Sequence, residues 1–314
     1  MFKRKGKATS SLALHGFGRL NRQEVVQSYL MIGCTVIGLA LFVIYPLCWV
    51  ARYCLFSTNG IREPVFVGLK NFVRVFTDSG RYWQSVGNTF IFAIGKLLVE
   101  LPLALVLANF LAKKLRGRSF FRSMFFLPSM FSVAVMGIVF YYLFNSYNGV
   151  VNEMIKLFGG ESLKWFSDPM LAMLVLMITS IWQNFGLNML FFMTGFQSIS
   201  PDLYEAAAID GANGRQQFFH ITIPMLGPVL QMVVMNALLG SLKVTDLVLV
   251  MTNGKPNGAT EVMMTYIYKL FFSGTRGTAS DWGYASALML VTAVILGVVT
   301  VIYLRSTKKS SEIY

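Results

Sequence analysis

Six stretches of predominantly apolar residues recur along this chain of 314 residues. A helix needs about 20 such residues to cross a bilayer core about 30 Å thick. The stretches cover residues 29–51, 86–111, 124–144, 171–196, 224–251 and 282–304. Their lengths and spacing predict an all-α, polytopic membrane protein with six transmembrane helices.

The composition agrees with a membrane protein and argues against a soluble protein and a nucleic-acid binder. Only 13% of the residues are charged and 55% are apolar, whereas a soluble domain has about 25% charged residues. The net charge of +13 could suggest a nucleic-acid binder. However, the basic residues lie mainly in the N-terminal tail and in the loops between apolar stretches, as membrane topology requires. We therefore expect membrane lipid and not nucleic acid as the surrounding partner.

The distribution of Lys and Arg predicts the orientation. With the N-terminus inside, fifteen of these residues lie in inside segments and ten in the longer outside segments. The dense cluster at 113–118 decides the assignment. We expect a bacterial inner-membrane protein with both termini in the cytoplasm.

The predicted organisation has four parts. They are a cytoplasmic tail (1–28), a first transmembrane helix with an extracytoplasmic loop (29–85), a core (86–304) that contains the cytoplasmic loop 200–224, and a second cytoplasmic tail (305–314). The three cysteines lack metal-ligand spacing, and no Gly-x-x-x-x-Gly-Lys-[Ser/Thr] pattern is present. We therefore expect no metal or cofactor in the chain and no enzymatic activity.

The loop 200–224 carries the signals of two helices joined by a turn. Ser200 suits an N-cap and Pro201 the first helical position. Gly211 is free to adopt the positive φ that ends the first helix, and residues 212–219 are predicted to form the second. These features alone leave two interpretations open, a docking element for a partner and an amphipathic loop lying on the membrane.

The same loop resembles a family signature. Glu205-Ala-Ala-x-x-Asp-Gly211, followed by Ile221-x-x-Pro224, is similar to the cytoplasmic loop of bacterial ABC importer permeases, in the carbohydrate-uptake branch that includes maltose and glycerol-3-phosphate importers. Further matches are Val67-Gly-Leu-Lys-Asn-Phe72, Asn88-Thr89, Leu127-Pro128 and Thr252-Asn-Gly-Lys-Pro256. The resemblance covers nearly everything from residue 67 onward. Its order follows the first of the two permeases usually paired in these systems.

The resemblance implies a type I ABC permease fold and a set of partners. These would be a second permease in a heterodimer, two ATPase subunits that hold ATP and Mg, an extracytoplasmic solute-binding protein, and a carbohydrate. The loop would dock on an ATPase subunit as a coupling helix. Carried over by position, the docking residues would be Glu205, Ala206, Ala207, Asp210 and Gly211.

Polar side chains within the fourth and fifth stretches are the candidates for a substrate path, because intramembrane polar residues are costly and often functional. Resemblance to the maltose system points to the same region, near 180–187 and 240–244. Amides and hydroxyls can exchange hydrogen bonds with sugar hydroxyls. The candidates are Ser180, Gln183, Asn184, Asn188, Ser241 and Lys243.

Two intramembrane lysines leave alternatives open. Lys243 could pair with Asp246 on the same helix face, contact the partner permease, or meet an acidic group of the cargo such as a uronate. For Lys96, we expect packing against the partner permease with its stem snorkelling.

Two other functions predict different sequence features. A secondary transporter or channel predicts internal repeats and a midplane carboxylate relay, whereas the only carboxylates in the spans are Glu100 and Asp246. A membrane-anchored scaffold would not need polar residues in the fourth and fifth stretches. The sequence therefore favours a permease subunit for a sugar or oligosaccharide.

Overall fold

The computed structural model describes residues 22–77, 80–112, 116–272 and 280–311. Several basic residues used for the orientation lie outside these ranges, including Lys113, Lys114 and the N-terminal cluster from Lys3 to Arg19. The chain divides into two compact units at residues 52 and 53.

The first unit contains one apolar helical segment. Helix α1 (Arg22–Leu39) passes through a π-helical turn (Ala40–Ile44) into α2 (Tyr45–Tyr53), which ends at the unit boundary. The Tyr45 N–H bonds to Ala40 O, five residues back. Pro46 follows directly and has no N–H to continue the regular pattern, which accounts for the widened turn.

The second unit is almost entirely helical. Its only strands among the described residues form a short antiparallel hairpin, in which Phe56 pairs with Phe66 and Ser57 with Val65. The elements in chain order are β1 (Phe56–Ser57), β2 (Val65–Phe66), α3 (Lys70–Thr77), α4 (Arg81–Ala112), α5 (Arg118–Phe126), a 3₁₀ turn (Leu127–Met130), α6 (Val133–Leu143), α7 (Val150–Leu157), α8 (Pro169–Gln197), α9 (Pro201–Ile209), α10 (Gly214–Gln217), a π-helical turn (Phe218–Thr222), α11 (Ile223–Met225), α12 (Gly227–Leu242), α13 (Asp246–Met251), α14 (Met263–Phe272) and α15 (Trp282–Ser311).

Helix α4 is the central element of this unit. It contributes buried residues to three apolar clusters: Tyr82 packs with α14 and α15, Phe92 with α6, α8 and α13, and Ala104 with α8 and α12. The helix continues through Pro102 without interruption. Within the described ranges, four segments are long and apolar enough to cross a membrane, in α1–α2, α4, α8 and α15.

The remaining two predicted spans are broken. The segments Arg118–Met130 and Val133–Leu143 meet at an angle of 98°, and Gly214–Met225 and Gly227–Leu242 meet at 69°. Counting each bent pair as one span gives six. Neither 124–144 nor 224–251 is a single straight helix, and the predicted all-α class with six spanning segments agrees with the count that takes each bent pair as one span.

The break in the third span lies at Phe131 and Ser132. Both residues have extended ψ angles, near 148° and 138°, so the Phe131 carbonyl has no helical partner. The side chain of Gln183 on α8 donates to this oxygen at 3.1 Å. A side chain on the neighbouring helix thus satisfies a main-chain group that lipid could not.

The fifth predicted span has two irregularities in addition to this 69° bend. A π-helical turn precedes Pro224, and the Ile223 N–H bonds to Phe218 O, five residues back, which repeats the arrangement before Pro46. Further on, α12 ends at Leu242 and α13 begins only at Asp246. Lys243, Val244 and Thr245 form the connection between them.

The hairpin end of the second unit is held by polar contacts between distant segments. Asn71 donates to Cys54 O and Phe56 O, both at 2.9 Å. Asn88 donates to Gly258 O at 3.0 Å and to Glu261 O at 2.9 Å. Two of the segments that resemble importer permeases, 67–72 and 88–89, therefore each contain an asparagine whose side chain bonds a helix to the main chain of a distant segment.

Replacing Gly186 on α8 by Ala should destabilise the protein. A Cβ there would lie 1.8 Å from Phe125 O, where α8 crosses the end of α5. Because backbone must move, we expect a loss of about 3 kcal/mol, the upper end of the usual cost of overpacking. Thermal unfolding of the detergent-purified protein measures it. Gly87→Ala on α4 is the matched control, since its Cβ meets nothing within 4 Å; equal stability of the two variants would contradict the prediction.

Candidate functional site

A cavity of about 460 Å³ lies between α4, α8 and the α12–α13 connection. Phe131, at the break in the third span, borders it on one side, and residues 243–247, which include the connection between α12 and α13, border it on the other. Of the six residues predicted for a substrate path, five line this cavity: Ser180, Gln183, Asn184, Asn188 and Lys243. Ser241 does not line it but is buried and bonded to a residue that does.

Helix α8 supplies the amide side of the cavity. Asn184 donates to Ser180 O at 2.8 Å, and Gln183 donates to Phe131 O at 3.1 Å. In both cases the amide nitrogen is held by main chain. The remaining carbonyl groups make these side chains suitable acceptors for hydroxyl groups.

Four polar side chains join α4, α8 and α12. Lys96 Nζ lies 3.3 Å from Glu100 Oε2 one turn along α4, and it donates to Ser241 Oγ at 3.2 Å. Asn188 donates to Glu100 Oε1 at 2.6 Å. All four are buried, and Glu100 is 0% exposed.

The expectation that Lys96 packs against a partner chain is therefore wrong, because its charge is paired inside this chain. The spacing of Lys96 and Glu100 in the sequence is sufficient to predict this ion pair. Opposite charges at positions 96 and 100 are four residues apart, so they share a helix face, and an apolar span tolerates such charges best as a pair.

Lys243 and Asp246 do not share a helix face, which corrects the premise of the predicted pair. Lys243 follows the last residue of α12 and Asp246 begins α13. Both are exposed and line the cavity, and no ion pair joins them within the described part of the chain. Asn236 and Asp246, two further polar residues of the fifth apolar stretch that are not among the six substrate-path candidates, also line the cavity.

The predicted helix–turn–helix of the loop 200–224 is present. Ser200 caps α9, with Pro201 at its first position. At the other end, Ala212 N bonds to Ala207 O at 2.9 Å and Gly211 N to Ala208 O at 3.1 Å. This bonding pattern is a Schellman motif, with Gly211 at a φ of +81°.

The second helix starts later than predicted, at Gly214 and not at residue 212. Ala212 is occupied by the Schellman motif, and the Asn213 side chain accepts from Gln216 N at 2.9 Å as a capping box. Tyr204 OH lies 2.9 Å from Thr222 Oγ1 and fastens α9 to the following turn.

The five predicted docking residues lie together on the surface of this loop. Glu205, Ala206, Asp210 and Gly211 are exposed, and Ala207 is half-buried. Ala207, Asp210 and Gly211 border a surface cleft of about 350 Å³ with Gln216 and His220. Ile209, at the C-terminal end of α9, is 87% exposed, which gives the loop an apolar contact point.

Comparison with known proteins identifies the type of chain. Residues 100–309 match the family described as binding-protein-dependent transport system inner membrane component. A probable ABC transporter permease protein of Bacillus subtilis, YurN, is 31% identical over 298 residues, covering 93% of this chain and 99% of the relative. The lactose transport system permease protein LacF of Rhizobium radiobacter is 32% identical over 286 residues, covering 90% and 94%.

A solved structure shares the fold. A chain of a bacterial ABC transporter involved in import of the acidic polysaccharide alginate superimposes with a TM-score of 0.79 at 22% sequence identity. The match covers 91% of this chain and 96% of that one. The ABC importer permease fold expected from the sequence is confirmed.

Gly211→Ala should weaken the docking loop without a steric clash. An added Cβ at Gly211 meets nothing within 4 Å, but the residue has a φ of +81°, which costs a side chain about 1–2 kcal/mol. Hydrogen–deuterium exchange over 200–217 should therefore be faster in the variant.

Gly214→Ala is the control, since it also adds a methyl group in open space but lies at the start of α10 without a positive φ. Unchanged exchange in Gly211→Ala, or equal acceleration in both variants, would contradict the role of the Schellman motif.

Proposed function

We propose that this chain, which belongs to the family of inner-membrane components of binding-protein-dependent transport systems, forms half of the membrane path for a sugar or oligosaccharide in an ATP-driven importer. The observation that carries the proposal is the cavity within the helical bundle, lined by amide and hydroxyl side chains and by two charges of each sign. The naming of the Rhizobium radiobacter relative as a lactose permease supports a carbohydrate cargo.

The cavity residues of α8 and α12 are proposed as the substrate path. Ser180, Gln183, Asn184 and Asn188 present polar groups along one helix, as a ligand with many hydroxyl groups requires. Lys243, exposed at the end of α12, is the one candidate that would favour an acidic unit of the cargo.

The loop 200–224 is proposed as the contact with an ATPase subunit. Its surface combines an exposed carboxylate at Glu205, small side chains at Ala206 and Ala207, and the apolar Ile209. The thin face formed by the alanines allows close approach of a partner groove. Hydrolysis of Mg–ATP takes place in that partner, since the family comprises the membrane component.

The complete importer would contain further subunits. We propose a second permease as the heterodimer partner, two ATPase subunits, and an extracytoplasmic binding protein that delivers the sugar. A structure of the alginate transporter in complex with its alginate pentasaccharide-bound periplasmic protein supports this arrangement by analogy of fold. The proposed orientation puts both termini and the loop 200–224 in the cytoplasm.

Glu205→Lys should abolish uptake while the subunit remains in the membrane. The reversed charge lies on the exposed face of α9, so folding should not suffer, whereas a complementary contact in the ATPase would become repulsive. Uptake of radiolabelled sugar and co-purification of the ATPase measure the effect.

The control for this reversal is Glu161→Lys, which makes the same charge change at an exposed residue between α7 and α8. It should leave ATPase co-purification unchanged. Normal uptake in Glu205→Lys would defeat the docking assignment.

The sugar class is tested with the extracytoplasmic binding protein proposed as a partner, which we expect to be encoded near this chain. We expect it to bind at least one oligosaccharide from a panel of neutral and uronate-containing members, and the reconstituted complex to import that compound in an ATP-dependent manner. Thermal-shift screening measures binding of each sugar, and uptake into proteoliposomes measures its ATP-dependent import. Binding of amino acids or metal ions alone, with no sugar imported, would refute the carbohydrate proposal.

A further inference from the structure

The wall of the cavity formed by Lys96 and Glu100 contains an incompletely bonded acceptor. Glu100 is fully buried. Its Oε1 receives a hydrogen bond from Asn188, whereas Oε2 receives none from any residue that the structure describes. Lys96 Nζ lies 3.3 Å from Oε2, within ion-pair distance but without hydrogen-bond geometry. A buried carboxylate oxygen without a donor is costly, and Glu100 is one of the residues that line the cavity.

The neighbouring ammonium group of Lys96 can donate more hydrogen bonds than it makes to the described residues. A lysine has three N–H donors, and among the residues that the structure describes Lys96 donates one hydrogen bond, to Ser241 Oγ at 3.2 Å. Both side chains border the cavity. An available donor and an available acceptor therefore stand side by side at one end of the polar lining.

We propose that Lys96 and Glu100 bind one hydroxyl group of the transported sugar and so determine its specificity. The hydroxyl oxygen accepts from Lys96 Nζ, and its proton is donated to Glu100 Oε2. A hydroxyl is suited to this position because it donates and accepts at once. This inference rests on the proposed function, since it assigns a role to two residues of the same cavity.

The pair also selects against an acidic unit at this position. A carboxylate cannot donate to Glu100 Oε2, and the buried negative charge of Glu100 repels it. Lys243 and Asp246, on the α12–α13 side, likewise contribute one charge of each sign. The charged lining is thus formally neutral, which favours a sugar unit with hydroxyl groups and no net charge.

The main test removes both charges together. In Lys96→Met/Glu100→Leu, apolar side chains of similar size replace the ion pair, a change that buried pairs often tolerate. Proteoliposomes contain the complete complex, with the partner permease, the ATPase and the binding protein. The probe is the most tightly bound neutral oligosaccharide from the panel. We expect the maximal uptake rate to fall about tenfold or more, while the half-saturating concentration, set by the binding protein, stays unchanged.

The same two substitutions at an exposed ion pair provide the control. Glu153 and Lys156 pair at 2.8 Å on the surface of α7, so Glu153→Leu/Lys156→Met should keep the wild-type maximal rate. A wild-type rate in the Lys96→Met/Glu100→Leu complex would make the buried pair structural only and would overturn the proposal.

A second variant tests charge selection. Glu100→Gln keeps the size of the side chain and leaves the Lys96 charge uncompensated, so the uptake ratio of digalacturonate to the neutral probe should rise about tenfold relative to the wild type. The same binding protein loads both probes, so its preference cancels from this comparison. An unchanged ratio overturns the proposal, and so does failure of both variants to assemble, which would assign the pair to folding.

The two proposals fail in different ways. If the wild-type complex imports digalacturonate but no neutral sugar, the hydroxyl site is refuted and the carbohydrate function stands. If it imports neither class, the carbohydrate function itself is refuted.

Discussion

Two opposite charges lie one turn apart in the middle of α4, and two neighbouring helices supply the side chains that bond to them. Lys96 and Glu100 are both buried in a bundle with predominantly apolar packing. Removing one partner of such a pair typically costs about 3–5 kcal/mol, because the other charge is left uncompensated. Asn188 on α8 and Ser241 on α12 complete the set. The relative positions of α4, α8 and α12 are therefore tied to one polar cluster, and the cavity opens beside it.

The irregular backbone is found at the same place. In a membrane, non-helical main chain is tolerated where it is buried in protein or lines a water-filled cavity. The break at Phe131 borders the cavity and is bonded by Gln183, and the connection from Lys243 to Thr245 forms another part of its lining. The breaks expose main-chain and side-chain polar groups to the cavity, which continuous helices over 124–144 and 224–251 would not do.

Local signals in the sequence were sufficient for some elements and not for others. Ser200, Pro201 and Gly211 act through the residues next to them, so capping and the positive φ were predicted and confirmed. The apolar stretches identified the helices because a bilayer fixes their length. The break after Leu242 was not predicted, since its stability comes from contacts with other helices. The partner of Glu100 on α8 lies 88 residues away along the chain, a distance that no local pattern spans.

The sequence predicted which polar residues line the cavity better than it predicted the ion pair and hydrogen bonds among them. Five of the six candidate residues line one cavity because intramembrane polar side chains are costly and therefore cluster. The sequence marks Lys96 as an unusual intramembrane lysine and Glu100 as one of two carboxylates in the spans, but the expectation for Lys96 did not include Glu100. Their separation of four residues is enough to predict that they form a pair. Their contact with the cavity also depends on the position of α8, which no local pattern predicts.

One covalent path connects the exposed loop with this cavity. After the cap at Asn213, helical backbone runs to Met225, bends by 69°, and continues as α12. The far end of α12 carries Ser241, which holds Lys96, and Lys243, which lines the cavity. Near its start, Gln231 donates to Thr307 O at 2.9 Å, and Tyr303 OH donates to Gln231 O at 2.8 Å. The loop is thus joined along the chain to α12, whose start is bonded to α15 and whose far end is bonded to Lys96 beside the cavity.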